Sequence, residues 1–478
     1  MAWPRETPEP SAFTRPPPIW HEFFQRSRSP DKSWMGSVSS PSRVMTLVLG
    51  LGTDERAPGA FVMSRAVVIG GGIAGLSAAH VLSQHFERVL LVDRDGQDVA
   101  HERQGVPQVD HLHVLMRRGW LAFNELFPGM GEELIRAGAV EVDWGENCYW
   151  VGRFGAFPRP PSDITSRLCS RRLLEKTVRA RLASNPGIEF IERFEAETFR
   201  WDSSRRHLLA VKAGDGREVE GALFVDASGR NGPFRSRAVL EKVDARASYA
   251  TCVVRIPHAE RLPFRQAYVQ VCAPHHLRGG GINPIEGGLH LAMMVGAGHE
   301  MPPGDKEGFL AYARSLRDPC VAQVLAEAEF VGPIRCFRRM AGTRVLRPAF
   351  QADNLVTMGD ALCALNPVYG QGMTVSLLSA LELGRQMAQE GRTSQKRFNE
   401  LVTGPWLTAA GEDLRVPGCT LENVSAMERL TMTLNSLLGD RVMLRATFDP
   451  DAHQRAMRVL HMVDPPSALI PLALPRVG

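Results

Sequence analysis

None of the eight cysteines in this 478-residue chain lies in a C-x-x-C pair or beside a histidine cluster. Cys148, Cys169, Cys252, Cys272, Cys320, Cys336, Cys363 and Cys419 are scattered, which argues against a dithiol redox centre and against a zinc or other metal site. They read as buried or free thiols in a reducing compartment rather than as a disulfide framework. No apolar run approaches the roughly 20 residues that span a bilayer. The opening "MAWPRETPEP" lacks the charged start and apolar stretch of a signal peptide. These absences predict a soluble, cytoplasmic protein without a membrane span. Basic residues number 56 against 52 acidic ones, with no dense run or stripe, so nucleic acid is not an expected partner. No Ser/His/Asp triad, paired carboxylates or internal repeat stands out.

What is present is ordinary for a globular enzyme: 44% hydrophobic and 23% charged residues, in a length that suggests two or three subdomains. Residues 1–62 differ from the rest. They carry nine prolines and Ser/Arg-rich text such as "RSRSPDKSWMGSVSSPSR". Such a segment buries too little apolar surface to offset its ordering entropy, so a disordered leader is expected. Met63 is expected to be the biological start, with a partner-binding tail as the alternative.

From Arg65 the text "RAVVIGGGIAGLSAAHVLSQHFERVLLVDRD" reads strand, glycine turn, helix, strand. Gly70, Gly72 and Gly75 form G-x-G-x-x-G. The first glycine permits the tight turn, the second lets a pyrophosphate approach the backbone, and the third lets helix and strand pack closely. Ile73 and Ala74 open the helix, whose free N–H groups and partial positive charge suit a diphosphate. Asp93, followed by Arg94, closes the second strand where a carboxylate accepts hydrogen bonds from a ribose. Together these features predict a dinucleotide site.

Two later motifs choose the dinucleotide. "VDASGR" places Asp226, Ser228 and Gly229 at a strand end. "MGDALCALNPVYGQGMT" places Gly359 and Asp360 after a strand, then Pro367, Tyr369, Gly370, Gly372 and Met373 around the start of a long helix. The combination resembles the FAD-dependent monooxygenases of the aromatic hydroxylase and squalene epoxidase type. The resemblance implies that Asp360 contacts the ribityl chain of FAD and that the Pro/Gly turn lies beside the isoalloxazine. Helix-terminal N–H groups would there stabilise the charge of reduced flavin. "RQGVPQVDHLHVLMRRG" is similar to a segment of the bacterial branch that contains the polyether ionophore epoxidases. By that resemblance Arg103 approaches the FAD diphosphate, Gln108, His111 and His113 lie near the flavin, and His113 is a pocket residue. "CSRRLLE" echoes the family's "SRPLLE", which makes Arg171 a further FAD contact, with Arg172 in place of the usual proline.

The resemblance covers residues 65–478 and implies an α/β fold. Its parts are a Rossmann-type FAD-binding domain, an inserted mostly antiparallel β-sheet substrate domain and a C-terminal helical region. The expected boundaries are 63–240 and 341–400 for the two parts of the FAD domain, 241–340 for the substrate sheet and 401–478 for the helices. "RGGGINPIEGG" is expected to be a hairpin turn between strands, since no second G-x-G-x-x-G stands in a strand–helix context. "YATCVVRI", "AYVQVCA" and "HLAMMVG", with one of Met293 and Met294 facing inward, are expected to wall the substrate pocket.

In such a family NAD(P)H reduces FAD, and O₂ adds at C4a to give a hydroperoxide that oxidises an electron-rich carbon. Side chains then mainly position the flavin and exclude water. The expected function is epoxidation of a large apolar polyketide- or terpenoid-like metabolite, in antibiotic or other secondary metabolism. Aromatic hydroxylation is the alternative, with Tyr369, His111 or His113 as a base. A reductase or dehydrogenase of the geranylgeranyl reductase type, or a non-catalytic FAD-binding protein, is also open. The paired-tryptophan W-x-W-x-I-P signature of flavin halogenases is absent.

Overall fold

The computed structural model describes residues 65–96 and 114–473, all within one unit of the chain, Val62–Gly478. The leader, the expected start at Met63, and the segment with Arg103, Gln108, His111 and His113 lie outside the described residues.

A five-stranded parallel sheet forms the centre. Its members are β1 (Arg65–Ile69), β2 (Arg88–Val92), Ile188–Ile191 (β3), Leu223–Asp226 (β4) and, from much later in the chain, Leu355–Thr357. Leu355–Thr357 pairs with β4, β4 with β1, β1 with β2, and β2 with β3. β1 reads as a continuous apolar run because both of its faces are covered. Ala66 and Val68 point into a core shared with helices, including α1 (Ile73–Leu82), α2 (Arg117–Leu126) and the helix Gly372–Glu390. Val67 and Ile69 point to the opposite face, against the three-stranded sheet of Ala196–Trp201, Leu208–Ala213 and Glu218–Glu220. A third helix, α3 (Arg171–Ala183), also packs against α1.

A second, larger sheet holds β5 (Val239–Arg255), β6 (Gln266–Val269), β7 (Arg278–Ile285), β8 (Leu289–Gly296) and β9 (Arg335–Arg347). These strands are antiparallel to one another; Cys148–Gly152 joins β6 in parallel. The text after residue 400 is mainly helical. With β10 (Leu355–Thr357), α4 (Gly372–Glu390), α5 (Gln395–Asp413), α6 (Ala426–Phe448) and α7 (Pro450–Leu460), it completes a Rossmann-like α/β architecture with inserted sheets and a helical C-terminal region.

"RGGGINPIEGG" departs from its expected conformation. Arg278–Ile285 is a buried strand paired on both sides, to β6 and β8, and only Glu286–Gly288 turns. The glycines answer a lack of room, not a need for a turn. A Cβ on Gly279 would lie 2.7 Å from the Val269 carbonyl oxygen, and one on Gly281 would lie 2.7 Å from the Tyr268 ring.

All eight cysteines are free, and six are buried. Among the described residues no helix is long and apolar enough to cross a membrane, and no group of three or more His, Cys, Asp or Glu could hold a metal ion.

Candidate active site

The site starts where β1 ends. Gly70 has φ +102°, and its N–H donates to the Val92 carbonyl at 2.8 Å, so the turn is anchored to the end of β2. A Cβ there would come within 2.5 Å of the Ala227 carbonyl oxygen, just beyond β4. Gly75 packs α1 onto this turn so tightly that a Cβ would sit 1.7 Å from the Gly70 carbonyl oxygen. Among the described residues, no atom lies within 4 Å of where a Cβ on Gly72, the N-cap of α1, would stand, and no side chain caps the helix. The N–H groups of Ile73, Ala74 and Gly75 therefore have no intrahelical acceptor at a helix end of partial positive charge.

At the end of β2, Asp93 meets a residue that sequence reasoning missed. Arg179 of α3 places Nη2 3.2 Å from Asp93 Oδ2 and donates to the Gly71 carbonyl. Its side chain is 9% exposed. Arg94 follows Asp93 at the strand end. Arg171, Glu175 and Arg179 recur every four residues along α3, so they share one face of the helix. That spacing marks a polar helix face but does not point to Asp93, so no local pattern reveals the pair. Arg171 itself pairs with the fully buried Glu175 at 2.7 Å. The helix starts there without the family's proline, because the Ser170 hydroxyl accepts from the Leu173 N–H.

Asp226 is fully buried beneath the site. Its Oδ1 accepts the Ser228 N–H at 3.1 Å as well as the Ser228 hydroxyl, while Oδ2 has no hydrogen-bond partner among the described residues. Burial pushes its carboxyl up to about 6, although the Ser228 hydrogen bonds act the other way. Gly229 follows with φ +81° and, among the described residues, nothing within 4 Å of where its Cβ would stand.

The third element is the turn after β10. A Cβ on Gly359 would stand 2.7 Å from the Ala74 side chain, so this turn rests directly on the start of α1. Asp360 is partly exposed and lies 3.7 Å from Arg230 Nε. Its Oδ1 is 3.8 Å from where a Cβ on Gly372 would be, which puts the carboxylate at the first residue of α4. Among the described residues no side chain caps α4 either, so the N–H groups of Gly372, Met373 and Thr374 lack an intrahelical acceptor. Gln371 Oε1 and Thr374 Oγ1 are buried there without hydrogen-bond partners among the described residues. Arg230, at the end of "VDASGR", donates to the Ala341 and Leu365 carbonyls at 2.7 and 2.6 Å and so locks the turn to the large sheet.

Pro367 and Tyr369 form a 3-10 turn that ends at Gly370, with φ +66°. Gly370 packs against Met116, so α2 and the chain entering it reach the same place. Tyr369 does not stand ready as a base. Its hydroxyl donates to Asp413 Oδ1 at 2.8 Å, and burial beside that carboxylate raises it well above the ordinary tyrosine range.

Alternation divides the large sheet. Ala250, Cys252, Val254, Ala292 and Met294 point into a packed core with the helix Lys306–Arg314 and so line no pocket. Thr251, paired with Met293, and Tyr249 occupy the opposite face. Tyr249 is buried and senses the charges of Arg230 and Asp360, so this second face looks toward the Asp360 turn. Of the two methionines, Met293 is the one on the site side.

A cavity of about 470 Å³ lies elsewhere, against the three-stranded sheet, lined by Phe199, Trp201, Phe350, Arg205 and Arg237 among others. None of the glycine-turn residues borders it.

Two uncapped helix N-termini, an open backbone at Gly72 and a strand-end acid define a dinucleotide-binding α/β protein. Residues 63–398 match the family described as FAD binding domain, and the chain belongs to that family. Protein Rv3254 of Mycobacterium tuberculosis (strain ATCC 25618 / H37Rv) is 29% identical over 346 residues, 67% of this chain and 72% of that one. Among solved structures the fold is similar to pqsL, described as a probable FAD-dependent monooxygenase from Pseudomonas aeruginosa. That match has a TM-score of 0.57 and 16% identity over 81% of this chain and 98% of the other. The flavin-dependent brominase Bmp2 has a TM-score of 0.57 and 14% identity over 84% and 98%.

Proposed function

We propose that this protein is an FAD-dependent monooxygenase that uses NAD(P)H and O₂, and that it epoxidises an alkene of a large apolar metabolite. The observation that carries the cofactor is the open cradle: Gly72, without a neighbour within 4 Å among the described residues, at the uncapped start of α1, to which the Gly359–Asp360 turn brings the uncapped start of α4. The residues fit FAD. The N–H groups of Ile73, Ala74 and Gly75 hold the diphosphate, with Arg171 and the undescribed Arg103 as further cationic candidates. Asp93 and Arg94 flank the ribose, and Asp360 binds the ribityl chain. Asp226 and Gly229 shape the floor, and the turn Pro367–Gly370 with Gly372 and Met373 borders the ring system. The buried, unpaired Gln371 Oε1 is an acceptor that a ligand N–H can satisfy.

A bound FAD would supply the redox chemistry of an NAD(P)H- and O₂-dependent oxygenation, in which one oxygen atom enters the product and the other leaves as water. The protein orients the ring, keeps water out and supplies the wall of Tyr249, Thr251 and Met293. Tyr249 and Tyr369 are both raised above the ordinary tyrosine range and stay protonated at neutral pH. Neither is an available base for ionising a phenol, which favours alkene over phenol as substrate. The likeness to the polyether epoxidase branch, in "NPVYGQGM" and "GVPQVDHLHVL", supports the same choice. His113 and His111 are the candidates that would restore a hydroxylase. We read the protein as cytoplasmic and its pathway as secondary metabolism.

Oxygen dependence tests the reaction class. NAD(P)H consumption with a polyene substrate is expected to stop when O₂ is removed and the flavin has been reduced once. Continued turnover without O₂ would assign the protein to the reductases of the geranylgeranyl reductase type.

A further inference from the structure

One carboxylate holds both ends of the turn that carries Pro367. Asp413, the last residue of α5, is 3% exposed. Its Oδ1 accepts the Asn366 Nδ2–H and the Tyr369 O–H, each at 2.8 Å. Asn366 in turn accepts the Val368 N–H at 3.2 Å through its own Oδ1, capping the 3-10 turn from within. The residue before the turn and its last residue thus meet on a single oxygen. Gly370 and the uncapped start of α4 follow immediately. The hydrogen bonds Asp413 accepts among the described residues come from Asn366 and Tyr369, not from the glycine cradle or from Tyr249, Thr251 or Met293.

The direction of these hydrogen bonds is set by chemistry. An amide Nδ2 only donates, and Tyr369 stays protonated, so Oδ1 must be the acceptor in both. Other charges around Asp413 are acidic. Glu412 is adjacent on α5, and Asp244 approaches from β5. Glu412 is paired with Arg153 and Arg415, and Asp244 with Lys242 at 3.5 Å. Cys419 lies nearby, but burial pushes its thiol up to about 12, so it stays neutral. Burial is the largest influence on Asp413 and lifts its carboxyl to about 7, although Tyr369 and Asn366 act to lower it.

We propose that Asp413 is a positioning residue for the flavin. By gripping Asn366 and Tyr369 it fixes the 366–370 turn and the start of α4, and its charge couples flavin reduction to a proton held away from the cofactor. The inference rests on the reading that FAD occupies this site. An ionised Asp413 opposes the negative charge that reduced flavin carries, whereas a protonated one does not. The flavin is therefore easier to reduce below the transition of Asp413 than above it.

The test is a redox titration of the FAD-loaded full chain with dithionite, across about pH 5.5 to 8.5, for the parent protein, Asp413→Asn and Tyr369→Phe. The parent is expected to show an extra bend near pH 7 in its plot of potential against pH. Asp413→Asn keeps an acceptor for both donors and loses the charge, so the bend vanishes while FAD affinity changes less than about threefold. Tyr369→Phe removes one stabilising donor and moves the bend upward by about one pH unit. If Asp413→Asn does not fold, Tyr369→Phe decides alone. A bend that stays in place in either folded variant, or that the parent lacks, overturns the proposal while leaving FAD binding intact. A parent protein that takes up no FAD would instead overturn the cofactor assignment itself.

Discussion

A Cβ on Gly75 would lie 1.7 Å from the Gly70 carbonyl oxygen, inside the contact between α1 and the turn that follows β1. A Cβ on Gly72, three residues earlier, meets nothing within 4 Å among the described residues. The two glycines of one motif should therefore fail in different ways. Gly75→Ala forces backbone apart and is expected to destabilise the FAD-free protein by about 1–3 kcal/mol. Gly72→Val should leave the FAD-free melting temperature near that of the parent and weaken FAD binding at least ~100-fold, about 3 kcal/mol. Differential scanning fluorimetry with and without FAD checks both. Full flavin occupancy in Gly72→Val would show that the diphosphate does not lie there.

Arg179 joins Asp93 to the Gly71 carbonyl from a buried position. Arg179→Met keeps much of the packing but leaves a strand-end carboxylate without this cation. A charged hydrogen bond of about 1.5–3 kcal/mol is lost, so FAD should bind roughly 10- to 100-fold more weakly. Fluorescence quenching of FAD measures this. An unchanged dissociation constant would make the pair purely structural.

Asp360 stands at the first residue of α4, partly exposed and only 3.7 Å from Arg230. Asp360→Ala is expected to weaken FAD binding and slow its reduction by a similar factor, with little change in the melting temperature of the FAD-free protein. Stopped-flow reduction by NAD(P)H gives the rate. Parent-like affinity and rate would remove Asp360 from the cofactor site.

His461 is 1% exposed, accepts the Arg117 N–H at 3.1 Å through Nδ1, and is pushed down to about 3 by burial. An unfolded histidine titrates near 6.5. The folded state therefore binds the proton less well than the unfolded one. The stability that neutral His461 contributes is present above about pH 6.5 and is lost as pH falls toward 3. His290 and His453, both pushed down to about 4, act in the same direction. His461→Asn retains an acceptor without the titration, so its melting temperature should fall less steeply below about pH 6.5 than the parent's. Parallel curves would show that His461 is not held neutral.

The first strand, glycine turn and helix were legible because each serves local rules: a short apolar run, a φ that favours glycine, and an uncapped helix start. Asp226 and Asp360 were legible as strand-end acids for the same reason. Arg278–Ile285 was not, because three consecutive glycines imitate a turn. What they answer is crowding from Val269 and Tyr268, residues of a neighbouring strand. Arg179 and Asp413 were equally hidden. Their partners lie 86 and 44 residues away, and no local pattern brings them together. The hydrogen bond from Tyr369 to Asp413 was hidden for the same reason, since only the fold places the two side by side.

The central claim is that one oxygen atom from O₂ ends in the product. Incubation of the FAD-loaded protein with ¹⁸O₂, NAD(P)H and a candidate polyene, followed by mass spectrometry, tests it most directly. The account predicts a single heavy oxygen added without loss of hydrogen, in a product that opens with water to a diol. A product containing no heavy oxygen would contradict it.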